Sequence, residues 1–408
     1  MTKFIKNTFI IFFILIIFTS KGFSQKSIII FKTDYSNNYM NYAIYDLIIK
    51  NIFLYSNLKI INSYSNYSSY NKIKSQIKKL TINNNANISI AYQIQNFKNG
   101  FLINYIIFDN EKPNEWIEKS AYSKEEDLFI SINKILKDIY EISKIKNKIT
   151  YIKEKDYISL LGYYSQKIIL TNNEDNIYKL FYDFHKDNIY FNIDYLEYLT
   201  DKSDRASVDI INDLIKNMQN YINKKKNHYY LYSLGCMHYG KYKVNVILSD
   251  IEASIENYNK ALKLKNNYYK YYYRLANAYI LKNDYDNAIK YYEEAIKLNE
   301  YDINIIKEFV YLLKRDINKN GNEVISYLKK IIEINKNDEE ALEDISKLYE
   351  KIGDYDNALI YYNKLFEVIN YNLYIINNET KDADAYDKYI FKRNSIKLNI
   401  ESLNKKIF

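Results

Sequence analysis

The chain is poor in proline, glycine and cysteine. One proline and seven glycines in 408 residues leave few helix breakers, so long uninterrupted helices are expected. The single cysteine, Cys236, excludes an intramolecular disulfide and any zinc site built from thiolates. A lone cysteine in helical sequence is usually a small buried apolar residue, and we expect that role here.

Residue patterns of enzyme and cofactor sites are also missing. Of the three histidines, His228 and His238 lie near Cys236, but they are not four residues apart and no carboxylate completes a ligand set. There is no glycine-rich phosphate loop and no marked pairing of a nucleophile with a histidine. We therefore expect a protein that is not an enzyme, with no cofactor, no metal and no small-molecule substrate. An enzyme with its site in residues 25–145 stays as an alternative.

The charge is mildly basic and well mixed. The formal net charge is +8, and loss of Lys3, Lys6 and Lys21 with a leader would leave +8 − 3 = +5. Lysines alternate with acidic residues along the chain, and no basic patch is strong enough to indicate binding of nucleic acid. The 48 tyrosines replace leucine and phenylalanine in many half-buried positions, because the ring packs while the hydroxyl stays in water.

The first 24 residues have the layout of a secretory signal peptide. Two lysines precede an apolar run from Phe9 to Phe18, and the small residues of Gly22-Phe23-Ser24 follow at the spacing that a signal peptidase reads. The run is short for a membrane span. We expect cleavage near Ser24 and a periplasmic or secreted protein. A membrane-anchored assembly factor with an uncleaved leader is the alternative, and only then do we expect membrane association.

Residues 25–145 alternate between strand and helix patterns. Apolar residues at strict alternation predict a strand around Ile88–Ile94, and Asn99-Gly100 is the strongest short signal for a hairpin turn. The predicted elements are strand 27–31, helix 39–54, strand 58–62, helix 70–80, strands 88–94, 101–108 and 116–122, and helix 125–142. This order fits an α+β domain with helices packed on a mixed sheet.

This arrangement, with Trp116 a few residues before Asp127-Leu128-Phe129, resembles the amino-terminal domain of TolB and its relatives. The sequence departs from that family at Ala91-Tyr92-Gln93, where the family often has a glycine. The resemblance implies a domain of the cell envelope that contacts proteins and has no catalytic centre. We expect Trp116 itself to be a packing residue.

Residues 146–227 contain amphipathic segments without a clear signature. Turn-like breaks at 172–175 and 201–204 separate them. We interpret this region as a helical linker or as degenerate repeats.

A seven-residue segment occurs in two nearly identical copies in the second half of the chain. NDYDNAI at 283–289 returns as GDYDNAL at 353–359, and small and aromatic residues recur at a spacing of about 34. This pattern resembles the tetratricopeptide repeat (TPR), a pair of antiparallel helices that stacks on its neighbours because one pair cannot bury its own apolar face. We predict four repeats in 228–372, at 228–268, 269–302, 303–338 and 339–372, and a polar capping helix in 373–408. The proline that often ends the family's repeat is absent here.

The first repeat departs from the others. The segment YGKYKVNVILSD between its two helices reads as an insertion, and Gly235 holds the position that needs a small residue. A small residue there allows the two helices to approach closely.

The resemblance to tetratricopeptide repeats also implies a binding groove. In that family the first helix of each repeat lines a concave face at positions two, five, nine and twelve. The candidate groove residues on this chain are Tyr229, Tyr232, Lys270, Tyr273, Asn277, Asn304, Lys307 and Tyr311. Aromatic rings with lysine and asparagine suit an extended peptide with acidic groups or a terminal carboxylate. The alternative is that these are ordinary solvated helix faces in a tyrosine-rich chain.

Taken together, the sequence predicts an α+β amino-terminal domain followed by an all-α solenoid. It favours a protein-interaction scaffold of the bacterial cell envelope, whose partner is a protein or peptide.

Overall fold

The structure is a computed structural model that divides into two compact units, residues 1–271 and 272–408. The division falls within the helix Tyr269–Leu281. The structure describes residues 26–31, 39–56, 58–61, 70–83, 86–97, 100–114, 116–124, 126–144, 152–153, 188–218, 227–380 and 382–407, with the single positions 157, 160, 178, 181, 182 and 185. The predicted leader and much of the predicted 146–227 region therefore lie outside the described residues.

The first unit begins with a five-stranded mixed sheet. Its strands are β1 (Ser27–Phe31), β2 (Lys59–Ile61), β3 (Ile88–Phe97), β4 (Gly100–Asp109) and β5 (Trp116–Ser123). The order across the sheet is β2-β1-β3-β4-β5, with β1 parallel to β2 and β3, and with β3, β4 and β5 as an antiparallel meander. The sequence predicted a strand at each of these five places.

Helices α1 (Tyr39–Tyr55), α2 (Tyr70–Asn83) and α3 (Leu128–Ser143) accompany the sheet. One core cluster lies between α2 and the sheet, where Ile73 and Ile77 pack with Ile29, Phe31 and Phe108. Burial of such side chains stabilises the fold by about 25 cal/mol per Å² of apolar surface. Ile28, Ile30 and Ile90, which alternate with the residues of this cluster, are also buried, so both faces of the sheet are covered.

Two details of the meander differ from the sequence prediction. Phe97 pairs directly with Gly100, so Gly100 begins β4 rather than lying in the predicted turn, and residues 98–99 lie outside the described residues. Trp116 is 54% exposed on the edge strand β5, so its prediction as a packing residue was wrong. The reason is the order of the sheet: on the edge strand β5, side chains of a neighbouring strand flank the ring only from the side of β4.

The other helices that the structure describes in the first unit form antiparallel pairs. They are α4 (Ile189–Lys202), α5 (Arg205–Met218), α6 (His228–Asn245) and α7 (Leu248–Leu264), and α8 (Tyr269–Leu281) contains the division between the units. Helices α6 and α7 approach closely at Gly235, where the hydroxyl of Ser254 donates to the Gly235 carbonyl at 2.9 Å. The predicted insertion mostly lengthens α6, and only Val246 and Ile247 separate it from α7.

Replacement of Gly235 by alanine should lower the free energy of unfolding. An added Cβ would lie 2.4 Å from the ring of buried Tyr258, and such overpacking costs about 1–3 kcal/mol. Gly321, inside another helix, is the matched control, since a Cβ there would meet nothing within 4 Å. Gly321→Ala should instead stabilise by roughly 0.5–1 kcal/mol, because glycine is a poor helix former. Denaturant titration of both variants tests this pair, and equal effects would contradict the close approach at Gly235.

The second unit continues as paired helices. They are α9 (Tyr285–Leu298), α10 (Ile303–Leu313), α11 (Ile317–Ile334), α12 (Glu339–Lys351), α13 (Tyr355–Ile375) and α14 (Ala383–Ile407), with a 3₁₀ turn at Lys314–Asp316 and a π-helical turn at Ile376–Thr380. Buried small and apolar residues such as Ala288, Ala295 and Leu365 lie on the facing sides. The all-helical solenoid predicted from the 34-residue spacing is confirmed.

The repeated heptapeptide is a helix-start signal. Asp284 caps α9 by accepting from the backbone N–H of Asn287, and Asp354 caps α13 by accepting from that of Asn357. The residue before each cap has a positive φ, +61° at Asn283 and +83° at Gly353. Asparagine and glycine are the residues that tolerate this left-handed conformation, which ends the preceding helix. The same local chemistry therefore turns the chain twice.

Candidate functional site

Two of the predicted groove residues are buried in the first unit. Tyr229 and Tyr232 are in the core, where the Tyr229 hydroxyl donates to the Asn192 carbonyl at 3.2 Å and the Tyr232 hydroxyl donates to the Glu197 carboxylate at 2.5 Å. Both acceptors belong to α4, which packs beside α6. Because no ligand can reach buried rings, these two residues do not line an open groove, contrary to the prediction.

The end of α1 covers the same place. The Phe53 ring lies 6.0 Å from the Tyr229 ring, 5.2 Å from the His228 ring and 4.1 Å from the Tyr268 ring, measured between centroids. Phe53 also meets Tyr271 edge to face at 6.2 Å. Aromatic clusters of this kind add packing energy beyond simple burial. A side chain of the amino-terminal α+β region therefore packs where a groove was predicted for residues 228–268.

Lys265 also contacts the end of α1. Its buried ammonium group donates to the carbonyl of Phe53 and, at 2.9 Å, to that of Ser56, and it lies 5.0 Å from the Phe53 ring. These carbonyls belong to the end of α1, where backbone acceptors lack partners within the helix. Burial lowers the pKa of Lys265 to about 7. Nothing in the 34-residue pattern marks Phe53 or Lys265, so sequence reasoning missed both.

Polar contacts join α1 to α4 as well. Lys50 forms an ion pair with Asp194 at 2.8 Å, and the Asn51 side-chain amide donates to the Tyr190 hydroxyl at 3.1 Å. Lys270, a further candidate groove residue, lies 3.6 Å from Glu197. The groove candidates of the first unit are thus committed to contacts within the chain.

The second unit keeps a more accessible surface. We use the term A face for one side of this unit. On this side lie the first helices of successive pairs, which are α8, α10 and α12, followed by α14. On this face the Tyr273 hydroxyl donates to Glu308 at 2.9 Å. The Tyr292 hydroxyl reaches both Asn277, at 2.5 Å, and Glu308, at 3.0 Å. Tyr273 and Asn277 are half-buried members of this network.

Lysines of α10 form ion pairs with α12. Lys307 lies 3.0 Å from Asp338 and 2.8 Å from Glu340, and Lys314 pairs with Asp344. Partial burial opposes the charge of Lys307, but its hydrogen bonds to the two carboxylates raise its pKa above the usual value. Lys307 is therefore neutralised within the chain rather than left free for an acidic ligand.

Two candidates on α10 remain open. Tyr311 is 76% exposed, and Asn304 is also exposed. Tyr311 lies one helical turn from each of the ion-paired residues Lys307 and Lys314 on the same face of α10. In protein interfaces, an aromatic ring that contributes much of the binding energy is often surrounded by polar side chains, and these keep water away from the ring once a partner is bound.

The terminal helix α14 covers the end of the A face. Lys392 lies 2.7 Å from Glu339, and Lys406 lies 3.2 Å from Glu350. Ile396 and Leu403 of α14 are buried, so apolar contact accompanies these ion pairs. The acidic residues of α12 are thus paired from both sides, by α10 and by α14.

The described residues offer no metal centre. Within them, no group of three or more His, Cys, Asp and Glu side chains could hold a metal ion. His238 lies 3.0 Å from Asp250, whereas His228 lies 2.7 Å from the Tyr271 hydroxyl. Burial and nearby Lys265 lower the pKa of His228 to about 3, so its imidazole is neutral. Across the part of the chain that the structure describes, no helix is both long and apolar enough to cross a membrane.

MamA and YrrB are among the proteins of known structure that are similar to part of this chain. The crystal structure of MamA is 22% identical, with an alignment that covers 40% of this chain and 91% of MamA at a TM-score of 0.32. A second MamA structure is 21% identical over 48% of this chain and 96% of its own, with a TM-score of 0.34. YrrB, described as a TPR protein with an unusual peptide-binding site, is 16% identical over 46% of this chain and 89% of its own, at 0.29.

These structural likenesses are too low to support an argument about function. A search of curated proteins found no match. The tetratricopeptide repeat family itself matches the sequence twice, at the second and fourth of the four predicted repeats. Residues 269–302 and 339–372 are therefore tetratricopeptide repeats.

Proposed function

We propose that this protein is a non-enzymatic scaffold of the bacterial cell envelope that binds a peptide or a helix on the A face of its second unit. Tetratricopeptide repeats are modules whose helix faces commonly present peptide-binding surfaces. Two such repeats are established here, and both contribute helices to the A face.

The observation that carries this proposal is the exposure of Tyr311. Large aromatic rings are usually packed, and in interfaces they are the side chains that contribute most of the binding energy. Tyr311 occupies the ninth position of its repeat, one of the positions that face a ligand in the family, and it is 76% exposed. Asn304 on the same helix offers an amide that can pair with the backbone of an extended peptide.

The contacts on the A face narrow the chemistry of the partner. Because Lys307 and Lys314 are already paired with carboxylates, the face does not present unpaired lysines for an acidic peptide at those positions. The open groups are an aromatic ring and an amide. We therefore propose a partner segment that places an apolar or aromatic side chain on Tyr311 and a backbone group on Asn304.

The location in the envelope rests on the sequence of the leader. A short apolar run between lysines and small residues favours export and cleavage near Ser24. Mass spectrometry of the protein recovered from its own cells tests this directly. An amino terminus near residue 25 supports a periplasmic or secreted scaffold, and an intact leader would favour a membrane-anchored assembly factor.

Substitution of Tyr311 and Asn304 tests the binding face. We expect the double variant Tyr311→Ala, Asn304→Ala to lose at least about tenfold in affinity for the captured partner, since one exposed aromatic hot spot is worth roughly 2 kcal/mol. Tyr371→Ala is the matched control, because Tyr371 is also an exposed tyrosine but belongs to the second helix of its repeat. Partners would be captured from cells after cross-linking and quantified by mass spectrometry. Equal capture by wild type and the double variant would refute the proposed face.

A further inference from the structure

The outer face of α14 is not the uniformly polar surface that we predicted for a terminal helix. Phe391 is 77% exposed and Leu398 is 65% exposed, seven residues apart. Residues seven apart lie on the same side of a helix, because two turns take about 7.2 residues. The opposite side of α14 carries buried Ile396 and Leu403. The helix therefore has one apolar contact toward the repeats and a second that is open.

The open face is continuous along the whole helix. Steps of three and four residues place its members in one row about 30 Å long, at a rise of 1.5 Å per residue. All of them are exposed, and they are Asp384, Asp387, Lys388, Phe391, Asn394, Ser395, Leu398, Glu401, Ser402 and Lys405. Glu401 makes one long contact within α14, 3.9 Å to Lys397, and both side chains are largely exposed.

Most charged positions of this row face an opposite charge when a second copy of the helix runs in the opposite direction. When two copies of α14 are placed side by side in opposite directions, with the two-fold axis between Asn394 and Ser395, Phe391 faces Leu398 of the second copy. In the same register Lys388 faces the second copy's Glu401, and Asp384 faces its Lys405. Asp387 faces the uncharged Ser402 of the second copy. Each of these pairs occurs twice by symmetry, as an isologous contact requires.

A parallel arrangement does not share this property. It would place Lys388 opposite Lys388 and Glu401 opposite Glu401, and like charges in register oppose association. The antiparallel register brings together opposite charges at both ends and apolar side chains between them. This is the pattern by which charged flanking positions select orientation and partner in paired helices.

We propose that the protein forms a two-fold symmetric dimer through the outer face of α14. The partner is a second copy of this chain, selected by the two Lys388–Glu401 and two Asp384–Lys405 pairs around the Phe391–Leu398 contacts. This dimer goes beyond the proposed binding role and does not depend on it. A single helix pair buries a small area, so the dimer is weak and depends on protein concentration. Dimerisation joins two A faces in one assembly, which raises the avidity for a partner with repeated motifs.

Charge reversal with rescue tests the dimer. Sedimentation equilibrium of the purified protein from about 1 μM to about 200 μM brackets the range expected for a small interface. Wild type should shift from one to two copies over this range. Lys388→Glu should weaken the dimer at least about tenfold, because it places glutamate opposite Glu401 twice. The double variant Lys388→Glu, Glu401→Lys should restore the wild-type behaviour, since the pair is re-formed in reverse.

Two controls separate the interface from general effects. Lys336→Glu changes the net charge by the same amount at an exposed position outside α14 and should dimerise like wild type. Circular dichroism of all variants should be unchanged, because Lys388 and Glu401 are exposed. Wild type that stays monomeric at the highest concentration would overturn the proposal. So would a dimer that Lys388→Glu leaves intact or that the double variant does not restore.

Discussion

Phe53→Ala should lower the free energy of unfolding by about 3–5 kcal/mol, the range for removal of a fully packed phenylalanine. Phe53 is buried, and its ring touches His228, Tyr229, Tyr268 and Tyr271. The substitution leaves a cavity among aromatic rings that cannot easily close. It also removes the ring beneath the Lys265 ammonium. Denaturant titration followed by circular dichroism measures the change.

Ile82→Ala is the comparison for this result. Ile82 also lies on a helix of the first unit, but about half of its surface is exposed. Surface substitutions usually change stability by no more than about 0.5 kcal/mol. If Phe53→Ala were as mild as Ile82→Ala, α1 would not be packed on α6 and on residues 268–271, and the groove position of the first repeat would be open after all.

Acid should destabilise the same junction, and two groups account for the effect. The unfolded chain holds the Lys265 proton up to about pH 10.5 and the folded protein only to about pH 7, so stability falls as the pH is lowered from 10.5 to 7. His228 takes a proton near pH 6.5 when unfolded but only near pH 3 when folded, so stability falls again between those values. Each group contributes about 1.4 kcal/mol per pH unit within its window.

Single substitutions show which of the two groups causes each part of the pH dependence of stability. Between pH 6.5 and pH 4 the His228 term amounts to about 3 kcal/mol, and His228→Phe should remove that part of the pH dependence. Lys265→Met should remove the part above pH 7, although it also leaves the carbonyls of Phe53 and Ser56 without their donor. Free energies of unfolding at a series of pH values give the slopes as differences between wild type and variant. Identical slopes in wild type and both variants would show that neither group is buried in its neutral form.

Local pattern predicted the elements, and the reason is physical. Alternation of apolar and polar residues at Ile88–Ile94 indicates a strand with one apolar and one polar face. The 34-residue spacing indicates helix pairs that bury their apolar faces by stacking on neighbouring pairs. Both signals lie within short stretches of chain. The structure confirms the small sheet and the paired helices of the solenoid, with capped helix starts at Asp284 and Asp354.

What the sequence did not reveal depends on contacts between distant residues. Lys265 and Phe53 are 212 positions apart, and no periodicity links them. Tyr229 and Tyr232 have the right spacing for a groove, but spacing cannot tell that α1 and α4 cover them. Trp116 was misjudged for the same reason, since only the order of strands places it at the edge of the sheet. The TolB-like resemblance of residues 25–145 stays a prediction.

These contacts affect the predicted groove residues differently in the two units. In the first unit the chain occupies its own groove positions, and in the second unit Lys307 is satisfied by Asp338 and Glu340. Tyr311 and Asn304 are the predicted residues that remain exposed. They are seven residues apart on α10, and helical spacing places such residues on one face.

Site-specific photo-cross-linking at position 311 tests the binding role most directly. A photoreactive phenylalanine analogue in place of Tyr311 keeps an aromatic ring at the exposed position, and the same analogue in place of Tyr371 is the control. In intact cells the account predicts a discrete cross-linked protein from position 311 that position 371 does not give. Cross-links that are absent from 311, or that are the same from both positions, would contradict binding at the A face.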